Sequence, residues 1–143
     1  MYRVASLWLL QACGPSPVLE PLDSGNPIVD TAEDTSSEAT LSHAQDIQPI
    51  WDKTCGGCHL DGSDSGDLNL DDGFASLVDI PSVDVPTMPL VSPGEPDDSY
   101  LWHKLEGTHR DVGGGGIAMP KNDTLNNGQR DRIFAWIEDG ALP

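Results

Sequence analysis

The sequence contains few basic residues. Seven Lys and Arg side chains stand against 24 Asp and Glu, so the 143-residue chain has a formal charge of −17. This charge argues against nucleic acid or an anionic lipid surface as a binding partner, because both require a positive protein surface. It favours basic proteins as partners, although acidity also keeps an exported protein soluble.

Apolar residues are also scarce for a chain of this length. The residues AVILMFWYC make up 37% of the sequence, and 15 Gly and 12 Pro predict many loops around a small core. The length predicts one folded domain of ordinary size. A bound apolar group would help to fill such a core.

Long hydrophobic runs are absent, and a short one lies at the N-terminus. Residues 1–12 combine a positively charged start, a brief apolar stretch and a small residue immediately before Cys13, a pattern typical of a cleaved export signal. The stretch is too short to span a bilayer. Residues 10–13, Leu-Gln-Ala-Cys, resemble the lipobox of bacterial lipoproteins. The resemblance implies an exported, periplasmic protein that is held at a membrane by acyl chains on Cys13. A plain cleaved signal peptide is the alternative.

Residues 13–42 form an acidic segment that is rich in Pro, Ser and Thr and contains no Lys or Arg. Its six carboxylates repel one another, and its few apolar residues cannot offset the conformational entropy of the chain. We therefore expect a disordered tether here, followed by a folded domain at residues 43–143.

Two of the three cysteines belong to one short motif. Cys55-Gly56-Gly57-Cys58-His59 has the C-x-x-C-H spacing of covalent c-type haem attachment. Thiols at this spacing reach the two vinyl groups on one side of the porphyrin, and His59 then lies beneath the iron as an axial ligand. A redox-active dithiol needs no trailing His, and a zinc site needs a second Cys/His pair, which the sequence after Cys58 does not provide. We therefore expect one covalent haem and no structural disulfide.

A haem iron with one His ligand has a second axial position, and Met in that position raises the reduction potential. Met119 follows a run of four glycines, which indicates a flexible loop before the last predicted helix. It is the preferred second ligand. The alternatives are Met88, which lies between two prolines, and the three histidines His43, His103 and His109.

Short helices are predicted on both sides of the haem motif. The first begins near Ser42 or, if Pro49 lies in its first turn, near Asp46 or Ile47, and it leads to Cys55. The last covers residues 127–138, and its apolar face, which includes Trp136, should pack in the core against the first helix. Two further helices are a short one capped by Asp71 or Asp72 and one at residues 99–105, capped by Ser99 and ended by Gly107.

Residues 43–143 resemble a small class I-type cytochrome c domain of the planctomycete and myxobacterial kind. The segments that carry the resemblance are residues 47–51 before the haem motif, residues 91–96 with 99–101, Met119-Pro120, and residues 136–141. The resemblance implies an all-α fold of three to five short helices around one covalent haem c. It also implies that His59 and Met119 are the axial iron ligands.

Residues 61–72 place oxygen-bearing side chains near the ligand positions of an EF-hand calcium loop. The twelfth position is Asp72 instead of a bidentate Glu, and the required entering helix would coincide with the haem motif. We therefore expect a solvated acidic loop.

Together these features predict a one-electron carrier that works with basic redox partner proteins. We do not expect an enzyme, because the sequence contains no acid/base constellation for catalysis. Two alternatives remain: a haem-based ligand sensor and a peroxidase-like haem module, both with a labile sixth ligand.

Overall fold

The computed structural model describes residues 40–143. The predicted leader at residues 1–12, Cys13 and most of the predicted linker at residues 13–42 therefore lie outside the described residues. Within residues 40–143 the secondary structure is helical and no strand forms, which confirms the predicted all-α class. No helix in this part of the chain is both long and apolar enough to cross a membrane.

Five short α-helices follow one another along the described chain. A π-helical turn at His43–Ile47 precedes the first of them, and a 3₁₀ turn at Pro96–Asp98 precedes the fourth. The α-helices are α1 (Gln48–Thr54), α2 (Gly56–His59), α3 (Gly73–Leu77), α4 (Tyr100–Glu106) and α5 (Asn127–Glu138). Four of these were predicted, and α2, which lies on the haem motif itself, was not.

The first helical segment has two parts, and each begins near one of the two predicted starts. The Ser42 hydroxyl accepts the backbone N–H of Gln45 at 3.3 Å, so the chain turns into the π-helical segment directly after Ser42. Regular α-helix begins at Gln48, and Pro49 then lies in the first turn, where the missing N–H has no helical partner to lose.

The caps of the later helices are confirmed with one exception. Asp72 caps α3 by accepting the Ala75 N–H at 3.3 Å, and Gly107 ends α4 in the left-handed conformation at φ 76°. Ser99 occupies the N-cap position of α4, but its hydroxyl makes no capping bond, so that prediction was wrong. The Ser99 hydroxyl instead donates to the carbonyl oxygen of Glu95 at 2.9 Å, which closes the preceding 3₁₀ turn.

The core joins the two ends of the domain. Helix α5 contributes Ile133, Trp136 and Ile137, which are fully buried and lie in one apolar cluster with Ile47 and Trp51. Burial of each such side chain contributes about 1.5–3 kcal/mol. Helix α5 contacts the π-helical turn, so its predicted packing against the first helical segment is confirmed, as is the buried position of Trp136.

A histidine is part of this core. The His43 ring is buried against the rings of Trp136 and Phe74, at centroid distances of 5.4 and 5.9 Å. Its Nε2 accepts a hydrogen bond from Trp51 Nε1 at 3.1 Å, so the ring is neutral with its proton on Nδ1. Burial lowers the pKa of His43, and the carboxylates of Asp72 and Asp52 oppose that shift.

Protonation of His43 is therefore expected to destabilise the domain. Because burial holds its pKa below the unfolded value of about 6.5, the unfolded chain takes up this proton first as the pH falls. The contribution of His43 to stability is complete above about pH 6.5 and declines as the pH falls from there towards its folded pKa.

The variant His43→Gln isolates this effect, because its amide oxygen can still accept from Trp51 but does not titrate. We expect the free energy of unfolding of the variant to fall less than that of the wild type between about pH 7.5 and about pH 5.5. Urea denaturation at both pH values measures the difference. Equal losses in the two proteins would contradict the assignment.

Candidate haem-binding site

The C-x-x-C-H motif forms one helical turn at the end of α1. The carbonyl oxygen of Cys55 accepts the N–H groups of Cys58 at 3.2 Å and His59 at 3.1 Å. Both thiols are free, with Cys55 half-buried and Cys58 exposed. Residues three apart share one face of a helix, so the two thiols stand on the same side of this turn.

The imidazole of His59 is held in one orientation by the loop that follows it. Its Nδ1 lies 2.9 Å from the carbonyl oxygen of Leu68, which makes Nδ1 the donor and leaves the lone pair on Nε2 free. Iron- and zinc-binding histidines are commonly held in this way through the ring nitrogen that does not bind the metal. The backbone of His59 is fixed as well, since its carbonyl oxygen accepts the Leu70 N–H at 2.7 Å.

The acidic loop at residues 61–72 is closed by one of its own carboxylates. Asp71 accepts the backbone N–H groups of Asp61 at 2.8 Å and Gly62 at 3.1 Å, and these hydrogen bonds hold its pKa below the usual range. The side chain of Gln48 on α1 then joins the end of the loop to the first helix, by donating to Leu70 O at 2.8 Å. The loop thus presents the Leu68 carbonyl to His59.

Met119 and the C-x-x-C-H motif line the same cleft. Two adjoining cavities, of about 590 and 430 Å³, share His59 and Met119 in their walls, and the larger is also lined by Cys55 and Cys58. Cavities of this size bind cofactor-sized ligands. Much of the remaining wall is apolar and comes from Leu68, Leu70, Leu101, Leu105 and Ile117. The structure therefore brings together the four predicted site residues of the domain.

The other candidates for the second axial position lie elsewhere. In the part of the chain that the structure describes, none of Met88, His43, His103 and His109 lines the cleft. His43 is in the core, and both ring nitrogens of His103 bond to neighbouring polar atoms at 2.8 Å. His109 is buried in the loop before Met119, and its Nδ1 has no hydrogen-bond partner among the described residues.

The environment of Cys55 bears on the dithiol and zinc alternatives. Burial, with additional contributions from Asp123 and Cys58, raises the pKa of the Cys55 thiol to about 11. Redox-active dithiols depend on a lowered thiol pKa, so this shift weighs against the dithiol alternative. Among residues 40–143, no three His, Cys, Asp or Glu side chains cluster as metal ligands would, which weighs against a zinc site.

Three polar residues of the cleft wall carry no short sequence motif, and sequence reasoning missed them. Tyr100 Oη donates to Asp84 Oδ2 at 2.6 Å, and burial together with this carboxylate raises the pKa of Tyr100 to about 12. Lys104 Nζ donates to the carbonyl oxygen of Gly115 at 3.0 Å. Met119 is linked to the same helix, because its N–H donates to Lys104 O at 2.8 Å.

Comparisons with protein-family models, with curated proteins and with solved structures find no match. The residues of the cleft are therefore the basis on which a function can be inferred.

In the glycine run before Met119, Gly114 leaves no room for a side chain and Gly115 does. A Cβ atom on Gly114 would clash with Tyr100 Oη and lie 2.8 Å from the backbone oxygen of His109, whereas a Cβ atom on Gly115 would come no closer than 3.8 Å to Asp84 Oδ1. Gly114 thus allows the loop to pack against the Tyr100 ring.

We expect Gly114→Ala to lower the free energy of unfolding by about 1–3 kcal/mol, because the added methyl group overpacks the contact with Tyr100. The matched control Gly115→Ala should change it by less than about 0.5 kcal/mol. Urea denaturation of the two variants measures both values. If the two variants were equally stable, the loop would not pack on Tyr100 as described.

Proposed function

We propose that this chain is a mono-haem c-type cytochrome that transfers single electrons. In this proposal Cys55 and Cys58 hold one haem c through thioether bonds, and His59 and Met119 are its axial iron ligands. One observation carries the proposal: the C-x-x-C-H motif and Met119, separated by 60 residues of sequence, line one largely apolar cleft. The small class I-type cytochrome c fold is part of the proposal, supported by the helical secondary structure and by the packing of α5 on the first helical segment.

The residues of the cleft fit a haem in three respects. The thiols of Cys55 and Cys58 stand on one side of a helical turn, His59 keeps Nε2 free, and leucine side chains supply an apolar wall for the ring. The bound haem supplies an iron centre that gains and loses one electron. The protein contributes burial of the ring, a fixed imidazole and a thioether ligand, so little has to rearrange when the charge on iron changes.

Electron transfer is favoured over the sensor and peroxidase alternatives by the candidate sixth ligand. Met119 lies in the wall of the cleft that contains His59, and a bound thioether leaves no open iron position for a gas or a peroxide. The polar groups of that wall are also engaged, since Asp84 accepts from Tyr100 and Lys104 donates to the loop. We therefore propose a carrier and not an enzyme.

Basic proteins are the proposed redox partners, and nucleic acid is not. Residues 54–103 contain ten Asp and Glu and no Lys or Arg, and this acidic half of the domain supplies most of the wall of the smaller cavity. The exposed apolar side chains of Ile80 and Val83 also line that cavity.

Association with a basic electron donor or acceptor should slow as ionic strength rises, and a rate independent of salt would contradict the proposal.

The exported, periplasmic location and the membrane anchor at Cys13 complete the proposal. Acyl chains on Cys13 would hold the protein at a bacterial membrane, and residues 14–42 would let the domain move between partners. Replacing Cys13 by Ser should shift the protein from the membrane fraction to the soluble fraction when cells are fractionated. Retention in the membrane fraction would contradict the anchor.

The most direct test of the axial ligands compares the two methionines. Met119→Ala should abolish the Met-to-iron charge-transfer band in the far-red ferric spectrum, lower the reduction potential and open the ferrous iron to carbon monoxide. Met88→Ala is the matched control and should keep the band, because Met88 does not line the cleft in the described structure.

Persistence of the band in Met119→Ala would contradict the ligand assignment. Ready binding of carbon monoxide by the wild type at neutral pH would favour the sensor alternative. Rapid turnover of peroxide with an electron donor would favour the peroxidase alternative.

A further inference from the structure

The loop that carries Met119 is rich in glycine and largely exposed. It passes through four glycines, two of which adopt the left-handed conformation at φ 90° and 72°. Residues 115–118 are exposed, and Ile117 is 47% exposed. Glycine loses more conformational freedom on ordering than any other residue, so this loop needs specific bonds to hold one conformation.

Hydrogen bonds at the two ends of the loop connect it to a single residue of α4. The backbone oxygen of Lys104 accepts the N–H of Met119 at 2.8 Å, and the Nζ of the same residue donates to the carbonyl oxygen of Gly115 at 3.0 Å. Lys104 therefore holds both the methionine and the glycine run that leads to it. Its helix also forms part of the cleft wall through Leu101 and Leu105.

A second cation near the loop has a different role. Arg110 Nη2 donates to Gly116 O at 2.9 Å, but Arg110 belongs to the same connection between α4 and Met119, so this bond stiffens the loop internally. The bonds of Lys104, by contrast, join the loop to the helix that walls the cleft, at Gly115 and at Met119. Hydrogen bonds from a charged donor are stronger than neutral ones. Of the two bonds of Lys104, the Nζ contact with Gly115 is therefore a stronger restraint than the backbone bond to Met119.

The surroundings of Lys104 hold its side chain over the loop. Its Nζ lies 5.8 Å from the centroid of the Tyr100 ring, and Asp84, which accepts from Tyr100, lines the same cavities. Burial and Arg110 lower the pKa of Lys104, and the Asp84 carboxylate opposes that shift. The ammonium group thus lies among an aromatic face, a carboxylate and the Gly115 carbonyl.

We propose that Lys104 is a positioning residue for the sixth iron ligand: its ammonium group fixes the Gly115 carbonyl and thereby holds Met119 on the iron against competing ligands. This inference rests on the proposed function. In this inference the Lys104 side chain determines how firmly the Met119 thioether stays bound to the iron.

The test measures imidazole binding to the ferric, haem-loaded protein, because imidazole must displace Met119 to reach the iron. Lys104→Leu removes the ammonium group but keeps the backbone bond to Met119. We expect it to bind imidazole about tenfold more tightly than the wild type, the effect of one lost charge-assisted hydrogen bond. Lys104→Arg retains a donor and should bind imidazole within about threefold of the wild type.

Lys53→Leu is the matched control, since Lys53 is an exposed lysine of α1 that does not line the cleft in the described structure. Its imidazole affinity should stay within about twofold of the wild type. Urea denaturation of every variant separates a local effect on Met119 from a general loss of stability. If Lys104→Leu does not retain haem, Lys104→Gln provides the same comparison with a smaller change.

The outcomes distinguish this inference from the proposed function. A wild type without covalent haem, or without the methionine charge-transfer band, would overturn both. A wild type with the band and a Lys104→Leu variant with unchanged imidazole affinity would overturn the role of Lys104 alone. An increase that Lys104→Arg reverses and Lys53→Leu does not share is the result that supports it.

Discussion

The hydrogen bond between His59 Nδ1 and the Leu68 carbonyl is the constraint on which the proposed site depends. It selects the tautomer that leaves Nε2 free and fixes the ring in the cleft. The bond exists only because the loop between His59 and Leu70 folds back on the motif, and Asp71 closes that loop by accepting backbone N–H groups. Gln48 ties the end of the loop to α1. A segment that the sequence predicts to be a solvated acidic loop thus supports the proposed iron ligand.

The wall that carries Met119 is held in a different way. Helix α4 supplies apolar side chains to the cleft, and the glycine-rich loop packs against it through the close approach of Gly114 to Tyr100. Close packing of this kind requires a residue without a Cβ atom, and polar bonds from Lys104 then hold the loop in place. The His59 side is therefore held by a folded-back loop, and the Met119 side by a helix. Both walls meet at one core, since Leu70 at the end of the loop and Leu101 and Leu105 of α4 belong to the same buried apolar cluster.

Features that depend on local sequence could be predicted well. The bounds of α5 agree with the predicted residues 127–138, because Asn126 and Gln129 form a capping box and three buried residues follow at helical spacing. Asp72 caps α3 as expected. Ser99 was predicted wrongly, because the capping preference of Ser competes with a hydrogen bond to Glu95 in the preceding turn, and that turn is not evident from spacing.

The residues that line the candidate site could be predicted from the sequence, and the contacts that hold them in place could not. Cys55, Cys58 and His59 lie within five residues, so their spacing is visible in the sequence, and Met119 stands out because few methionines are available. The partner of His59 is a backbone carbonyl, which has no sequence signature.

The central claim is tested most directly by the intact mass of protein purified from a host that matures c-type cytochromes. We predict the mass of the processed chain plus one haem, retained under denaturing conditions and lost in a Cys55→Ser/Cys58→Ser variant. A wild-type chain that carries two free thiols in this motif and no haem would contradict the account.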